Sequence, residues 1–222
     1  MQPVFIVIAI IVIGAVAYYA WRQEQKRREA LLLWATGRGW KLRVAKQKRL
    51  HDRWAGLKIL RKGHTRRGKN VITGTFDGFT ITLLDYQYVT GHGKNRSTHN
   101  KGLVILGCDH PTIPLQIRRE NPFDKVGEFL GMDDIDFESA EFSRKFYVKS
   151  PDKKWAYDVI HGRTMEFLLK SPRYFSIAFG HNEIAVMKSS RCQPVLYEQA
   201  IKLASDLYEL IPDYVLEQLK GK

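Results

Sequence analysis

Between Gly91 and Gly102 the chain reads GHGKNRSTHNKG, the stretch whose residue types come closest to a chemical device. His92, Lys94, Arg96, Ser97, Thr98 and His99 set cations, imidazoles and hydroxyls side by side between glycines. The backbone amides of such a loop can form a concave nest for a phosphate or another anion, with the cations adding charge. The G-x-x-x-x-G-K-[ST] spacing of a P-loop is absent, and the residues that follow read as a strand, not as a helix N-terminus. A solvated hairpin loop ordinarily has the same composition. Asn95-Arg96-Ser97 is a glycosylation sequon only in an exported domain.

Other groups fall short of a site on spacing. His92, His99, Cys108 and His110 form a mixture that suits zinc, yet their spacing matches no closed ligand set. Cys108, in a Leu-Gly-Cys strand, reads as a small buried hydrophobe. Asp133, Asp134, Asp136, Glu138 and Glu141 make an acidic cluster of the kind that holds a cation or does acid–base work, but the D-x-D-x-D-G spacing of a calcium loop is missing. Ser139, Glu141 and Arg144 read there as a helix start with local ion pairing. No G-x-S-x-G elbow and no activated-cysteine motif occurs. The expectation is therefore no catalytic residue, no metal and no cofactor.

What must position these residues begins at the other end of the chain. Pro3 to Trp21, PVFIVIAIIVIGAVAYYAW, carries no charge. As a helix it spans about 28 Å, close to the hydrocarbon thickness of a bilayer, and it reads as one transmembrane anchor. Arg22, Lys26, Arg27 and Arg28 follow at once, whereas only Met1 and Gln2 precede it. Basic flanks stay on the cytoplasmic side, so the expected placement is the inner membrane, N-terminus out and C-terminal domain in the cytoplasm. A cleaved signal peptide is the competing reading, through Ala15-Val16-Ala17, but the basic n-region is missing and the apolar run is too long.

The net charge of +13 resembles that of a nucleic-acid binder until it is mapped. Residues 22–69 carry 17 Lys and Arg against Glu24, Glu29 and Asp52, a balance of +14, and the rest of the chain sums to −1. The basicity is a juxtamembrane collar, suited to topology and to anionic headgroups. Trp34, Trp40 and Trp54 are interleaved with those cations as stacking platforms would be, but tryptophans beside a membrane are more often interfacial anchors or core. Nucleic acid is thus the less favoured partner. Cys108 and Cys192 are the two cysteines, outside any C-x-x-C pair, as in a reducing compartment.

The pattern divides the chain into a membrane anchor (1–21), a basic neck (22–69) and an α+β domain with antiparallel strands and packed helices (70–222). The neck is expected to continue the membrane helix to residue 36, then give a short strand near Trp40–Val44, a short basic helix near Lys46–Trp54 and an exposed basic loop over Arg61–Gly68. Asp77-Gly78 predicts a hairpin between Val71–Phe76 and Phe79–Val89. The apolar parity of the second strand slips between Leu83 and Leu84, which predicts a β-bulge or a strand buried on both faces. Strands at 103–106 and 113–118 would complete a four-stranded meander. A helix from Asn121-Pro122 to Leu130, a strand at 145–149, helices at 152–160 and 164–169, and a hairpin around Gly180-His181-Asn182 follow. Pro194 opens an amphipathic helix that Pro212 interrupts.

Within that second half Asp136, Phe137, Ser139, Glu141, Phe142, Arg144 and Phe146 spell D-F-x-S-x-E-F-x-R-x-F, followed by Val148, Ser150 and Asp152 and by Met165, Leu168 and Leu169. The segment resembles a signature of membrane-anchored bacterial proteins in a family known as a domain of unknown function. The resemblance implies a similar α+β cytoplasmic domain behind an N-terminal anchor and brings no activity with it. Taken together, these features point to a single-pass membrane protein that works by binding, its partners being anionic lipid and a protein at the membrane. A membrane-tethered enzyme or nucleotide or anion sensor using loop 91–101 is the alternative, and nucleic-acid binding through the basic neck is the third reading.

Overall fold

A computed structural model of the chain describes residues 2–48, 50–120 and 135–220. The expected helix over Asn121–Leu130, together with Asp133 and Asp134, lies outside the described residues.

Helix α1 (Gln2–Thr36) is continuous over 35 residues, about 52 Å. Its environment changes at Glu24 without a break in the helix. From Phe5 to Gln23 every residue is exposed, including Phe5, Ile6, Ile11 and Trp21, whereas Arg27, Leu31 and Ala35 are buried at i, i+4 spacing. The first part is long and apolar enough to cross a membrane, and the second part is a packed element of the domain.

The rest is an α+β fold around one antiparallel sheet of nine strands. Strands β1 (Lys41–Arg43) and β2 (Gln47–Lys48) both pair with β3 (His64–Phe76). Asp77-Gly78 turns β3 into β4 (Phe79–Thr90), and β5 (Ser97–Gly107) continues the meander. After β6 (Leu115–Arg119) come helix α2 (Ala140–Lys145), strand β7 (Phe146–Lys149) and helices α3 (Lys153–Val159) and α4 (Gly162–Lys170). The hairpin β8 (Phe175–Phe179) and β9 (Glu183–Lys188) leads to α5 (Pro194–Glu209) and α6 (Asp213–Lys220). The strand order is β1-β3-β4-β5-β9-β8-β6-β7.

Three local expectations are corrected. Arg61–Gly68 is not a loop beyond its first residues: β3 begins at His64, and Arg67, Gly68 and Lys69 pair with Gln87, Tyr86 and Asp85. The basic helix near Lys46–Trp54 is replaced by β2 and a 3-10 turn over Leu50–Trp54. The meander stops at three strands, because the β8–β9 hairpin inserts between β5 and β6. Residues 108–114 cross beneath that hairpin and are stitched to its turn: the Cys108 and Thr112 amides donate to Asn182 and His181 carbonyls, and the Thr112 hydroxyl to Gly180. No local sequence pattern encodes such an insertion.

The parity slip at Leu83-Leu84 has both anticipated causes. The register steps from Lys69↔Asp85 to Ile72↔Leu83, so the extra residue is on β3, opposite Leu84. Strand β4 is also covered on both faces. Ile81 and Leu83 join a core under α1, α5 and the other helices, while Leu84, Tyr86 and Tyr88 pack with Trp54, Leu57 and Leu60 on the reverse face. Trp40 and Trp54, considered above as stacking platforms, are 7% exposed core residues.

The D-F-x-S-x-E-F segment acts as architecture. The Ser139 hydroxyl accepts from the Phe142 amide and caps α2, and the Asp152 carboxylate accepts from the Trp155 amide and caps α3. Phe137 and Phe142 meet edge-on at 5.4 Å, and Phe142 stacks on Phe146 at 4.5 Å.

Candidate functional site

Where α1 enters the domain, the structure builds a buried polar junction. Arg27, expected among the residues facing lipid and setting topology, is instead 7% exposed and turned onto β4. The reason is helical register: it shares one face with Leu31 and Ala35, which the sheet covers. Arg22 and Lys26 are exposed and Arg28 is half-buried, bonded to Glu24.

All five guanidinium donors of Arg27 have partners. Nε and Nη2 donate to Glu24 at 3.1 and 3.0 Å, Nη1 donates to Asp85 Oδ1 at 3.2 Å and to the Cys192 carbonyl at 2.9 Å, and Nη2 also donates to Asp85 Oδ2. Asp85 accepts further from Asn70 Nδ2 at 2.6 Å and from the Tyr197 hydroxyl at 3.3 Å. Asn70 sits in the bulge on β3 with φ +48°, a left-handed backbone that asparagine tolerates better than most residues. The bulge that disturbed the apolar parity thus belongs to the segment that brings Asn70 to Asp85. A second layer joins Glu24 to Arg191 at 3.0 Å, and Asn100 accepts from Arg191 at 3.4 Å and from Gln87 at 2.8 Å.

This constellation is electrostatic mortar. Burial, reinforced by the neighbouring Asp85 charge, holds the Tyr197 phenol well above its usual range, so it stays a neutral donor. Both thiols are held protonated, with Cys192 buried and Cys108 half-buried. Burial pushes Cys192 and Cys108 each up to about 12, with Glu183 and Asp109 adding to the rise at Cys108. Neither thiol of the native protein is expected to react with a maleimide near neutral pH on the timescale that labels both after denaturation. Rapid native labelling at Cys192 would contradict its burial.

The residues of loop 91–101 are divided rather than gathered. A 3-10 turn covers Gly93–Asn95, and β5 already begins at Ser97. His92 stacks on His64 at 4.8 Å, while His99 stacks on Tyr88 at 4.8 Å and meets the Thr90 hydroxyl at 2.8 Å. Burial, with the Lys101 and Lys62 charges, lowers the His99 pKa. Ser97 and His99 lie on one face of the strand and Thr98 on the other. Lys94 and Arg96 are exposed, with no ion pair among the described residues. The amides of Asn95 and Arg96 donate within the turn to His92 and Gly93, which occupies two donors a nest would need.

His110 meets the Tyr208 hydroxyl at 2.9 Å, away from His92 and His99. Among the described residues no three His, Cys, Asp or Glu side chains stand together as a metal site. A small apolar recess lined by Gly56, Ile59, Leu115 and Phe179 holds about 20 Å³, room for little beyond a water molecule. The Arg27–Asp85 junction was not foreseen, since Asp85 reads as one polar residue in an apolar strand; a lone acid within a run as apolar as ITLLDYQYV was the available signal.

The architecture defines a class: an α+β domain carried on, and continuous with, a helix able to cross a membrane. No protein-family model matches the sequence, and neither does any characterised protein in a sequence comparison. Among solved structures the chain is similar in fold to the mycobacterial trehalose monomycolate transport factor A, TtfA, with a TM-score of 0.60 and 15% identity over 84% of this chain and 96% of that one.

Proposed function

We propose that the chain is a single-pass inner-membrane protein whose cytoplasmic domain works by binding, as a scaffold or interaction module held at an anionic membrane surface. One observation carries this reading. The exposed apolar half of α1 and the buried half are one uninterrupted helix, fixed to the sheet through Arg27. A flexible tether merely keeps a domain near a membrane, whereas a helix shared between span and core fixes the domain's orientation on it. Support also comes from the likeness in fold to TtfA, a transport factor. The likeness of residues 136–169 to an unassigned family of membrane-anchored bacterial proteins agrees with the same arrangement. The enzyme or sensor reading through loop 91–101 has less behind it, because Lys94, Arg96, Ser97, Thr98 and His99 do not converge.

Topology tests the reading directly. With Cys192 buried, Cys108 half-buried and both thiols held protonated, single cysteines at Gln2 and Glu217 report the two sides to a membrane-impermeant maleimide. Gln2→Cys should label in intact cells and Glu217→Cys only after lysis. Reversing Arg22, Lys26 and Arg28 to Glu, with Arg27 left in its buried pairing, should invert or abolish that pattern. Labelling of Glu217→Cys in intact wild-type cells would overturn the proposed orientation.

A further inference from the structure

Four strands away from the Arg27 clamp, in the same row of the sheet, lies an open groove of about 550 Å³, lined by Arg118, Arg119, Arg144, Arg173, Tyr174 and Lys188 among others. Glu120 is the one acidic lining residue among the described residues. The cations come from elements far apart in sequence: the end of β6, α2, the turn before β8 and the end of β9. Some are partly engaged. Arg119 donates to the carbonyls of Leu168, Leu169 and Ser171, and Lys188 bonds Ser190 and lies over the Tyr174 ring. Arg144 and Arg173 are exposed and have no ion pair among the described residues. With a single carboxylate among the described lining residues, the exposed Arg144 and Arg173 give the groove a demand for an anion.

The fold fixes where this groove looks. Asp85 pairs with Gly102, Gly102 with Lys188 and Lys188 with Phe175, while Arg119 pairs with Phe146 at the corresponding end of β6. The groove and the Arg27 clamp therefore share one row across the sheet, separated by the steps β4-β5-β9-β8-β6, about 19 Å at the usual strand spacing. Along α1, Arg27 sits at Asp85 and the chain past its end brings Trp40 to Thr75 and Gly74, toward the opposite end of the sheet. Followed toward its N-terminus, the helix runs on past this row, on the side where the β4–β5 hairpin continues for five more pairs to Thr90 and Ser97. From Arg27 back to Trp21 is six residues, about 9 Å of helix. A headgroup layer is about 5–8 Å deep on each side of the hydrocarbon, a depth into which arginine side chains can reach.

The geometry points to the groove as a docking site for the phosphate-bearing headgroups of anionic phospholipid, a second contact with the bilayer displaced sideways from the anchor. This inference rests on the reading of α1 as a membrane span. The shared helix holds the domain rigidly to the span, but the span can still turn about its own axis, and a cationic contact some 19 Å to one side removes that freedom. Arginine forks suit phosphate oxygens, and exposed Tyr174 beside them has the amphipathic ring favoured at headgroup level.

The test uses the full chain in nanodiscs of phosphatidylglycerol or of phosphatidylcholine, read by amide hydrogen exchange at Arg173, Tyr174 and Ser189. Exchange there should be slower by about fivefold or more in phosphatidylglycerol, the effect of one or more basic groups engaging an anionic surface. Arg144→Gln with Arg173→Gln should erase the difference, and the matching pair of Lys variants should keep most of it. Inorganic phosphate added to phosphatidylcholine discs should not reproduce it. Equal exchange in both lipids, persistence in the Gln pair, or equal protection by free phosphate would each overturn the proposal. Amides of Leu103–Leu106 in the sheet centre report that every variant remains folded. Loss of the chain from discs of both compositions would count against the span instead of the groove.

Discussion

Replacing Arg27 with alanine is expected to cost the domain about 3–5 kcal/mol, the range for removing one partner of a buried ion pair. The substitution removes five hydrogen bonds at once and leaves the Asp85 side chain, 6% exposed, with Asn70 and Tyr197 as its remaining donors. Lysine would not repair the loss, since a single ammonium cannot reach Glu24, Asp85 and the Cys192 carbonyl in the planar fork that arginine presents. Removing both charges, as in Arg27→Met with Asp85→Leu, should cost less than the sum of the single changes, because neither charge is then left buried alone. Urea denaturation of the full chain in one detergent provides the measurement. A loss for Arg27→Ala below about 1 kcal/mol, the worth of an exposed pair, would mean the junction is solvated and the helix only loosely docked.

Gly102→Ala should be the second most damaging single change, through steric means at the same junction. A Cβ at this position would stand 2.2 Å from Cys192 Sγ and 3.0 Å from both Cys192 Cβ and its backbone nitrogen. The neighbouring strand position is Asp85, and the Gly102 amide donates to the Ser190 carbonyl at 2.8 Å, so the 190–192 segment has little room to retreat. Overpacking of this kind costs about 1–3 kcal/mol. It should also move the Cys192 carbonyl off Arg27 and so weaken the clamp. Cys192→Ala in the same background should restore part of the stability, because the sulfur is the nearest obstacle while the Cβ contact at 3.0 Å persists. Identical stability of Gly102→Ala with and without Cys192→Ala would rule out the sulfur contact as the cause.

The two effects meet where α1 joins the sheet, the point that matters for the proposed membrane-held binding module. Whatever loosens Arg27 or the 190–192 segment uncouples the span from the sheet without touching the apolar anchor. Such variants should remain in the membrane yet lose the fixed presentation of the domain.

Much of this protein was legible from local pattern. Apolar length marked a helix able to cross a membrane, and Asp77-Gly78 located a hairpin because few sequences turn so tightly. Pro194 and Pro212 framed the last two helices, since proline fixes where a helix can begin. The slip at Leu83-Leu84 announced an irregularity before any partner strand was known. These signals are decided within a few residues by backbone sterics and side-chain periodicity.

Tertiary structure alone decided the rest. Arg27 reads as one more cation of a collar; that it is buried depends on which helix face meets the sheet and on an aspartate 58 positions away. The separation of His92, Lys94, Arg96 and His99 follows from strand alternation and from stacking on Tyr88 and His64. The groove of Arg144, Arg173 and Lys188 exists because the β8–β9 hairpin inserts between β5 and β6 and carries its cations to the row of the Arg27 clamp. Sequence composition set how much positive charge the chain carries beside its span, and long-range strand pairing determined which of those charges are spent inside the protein and which are left facing outward.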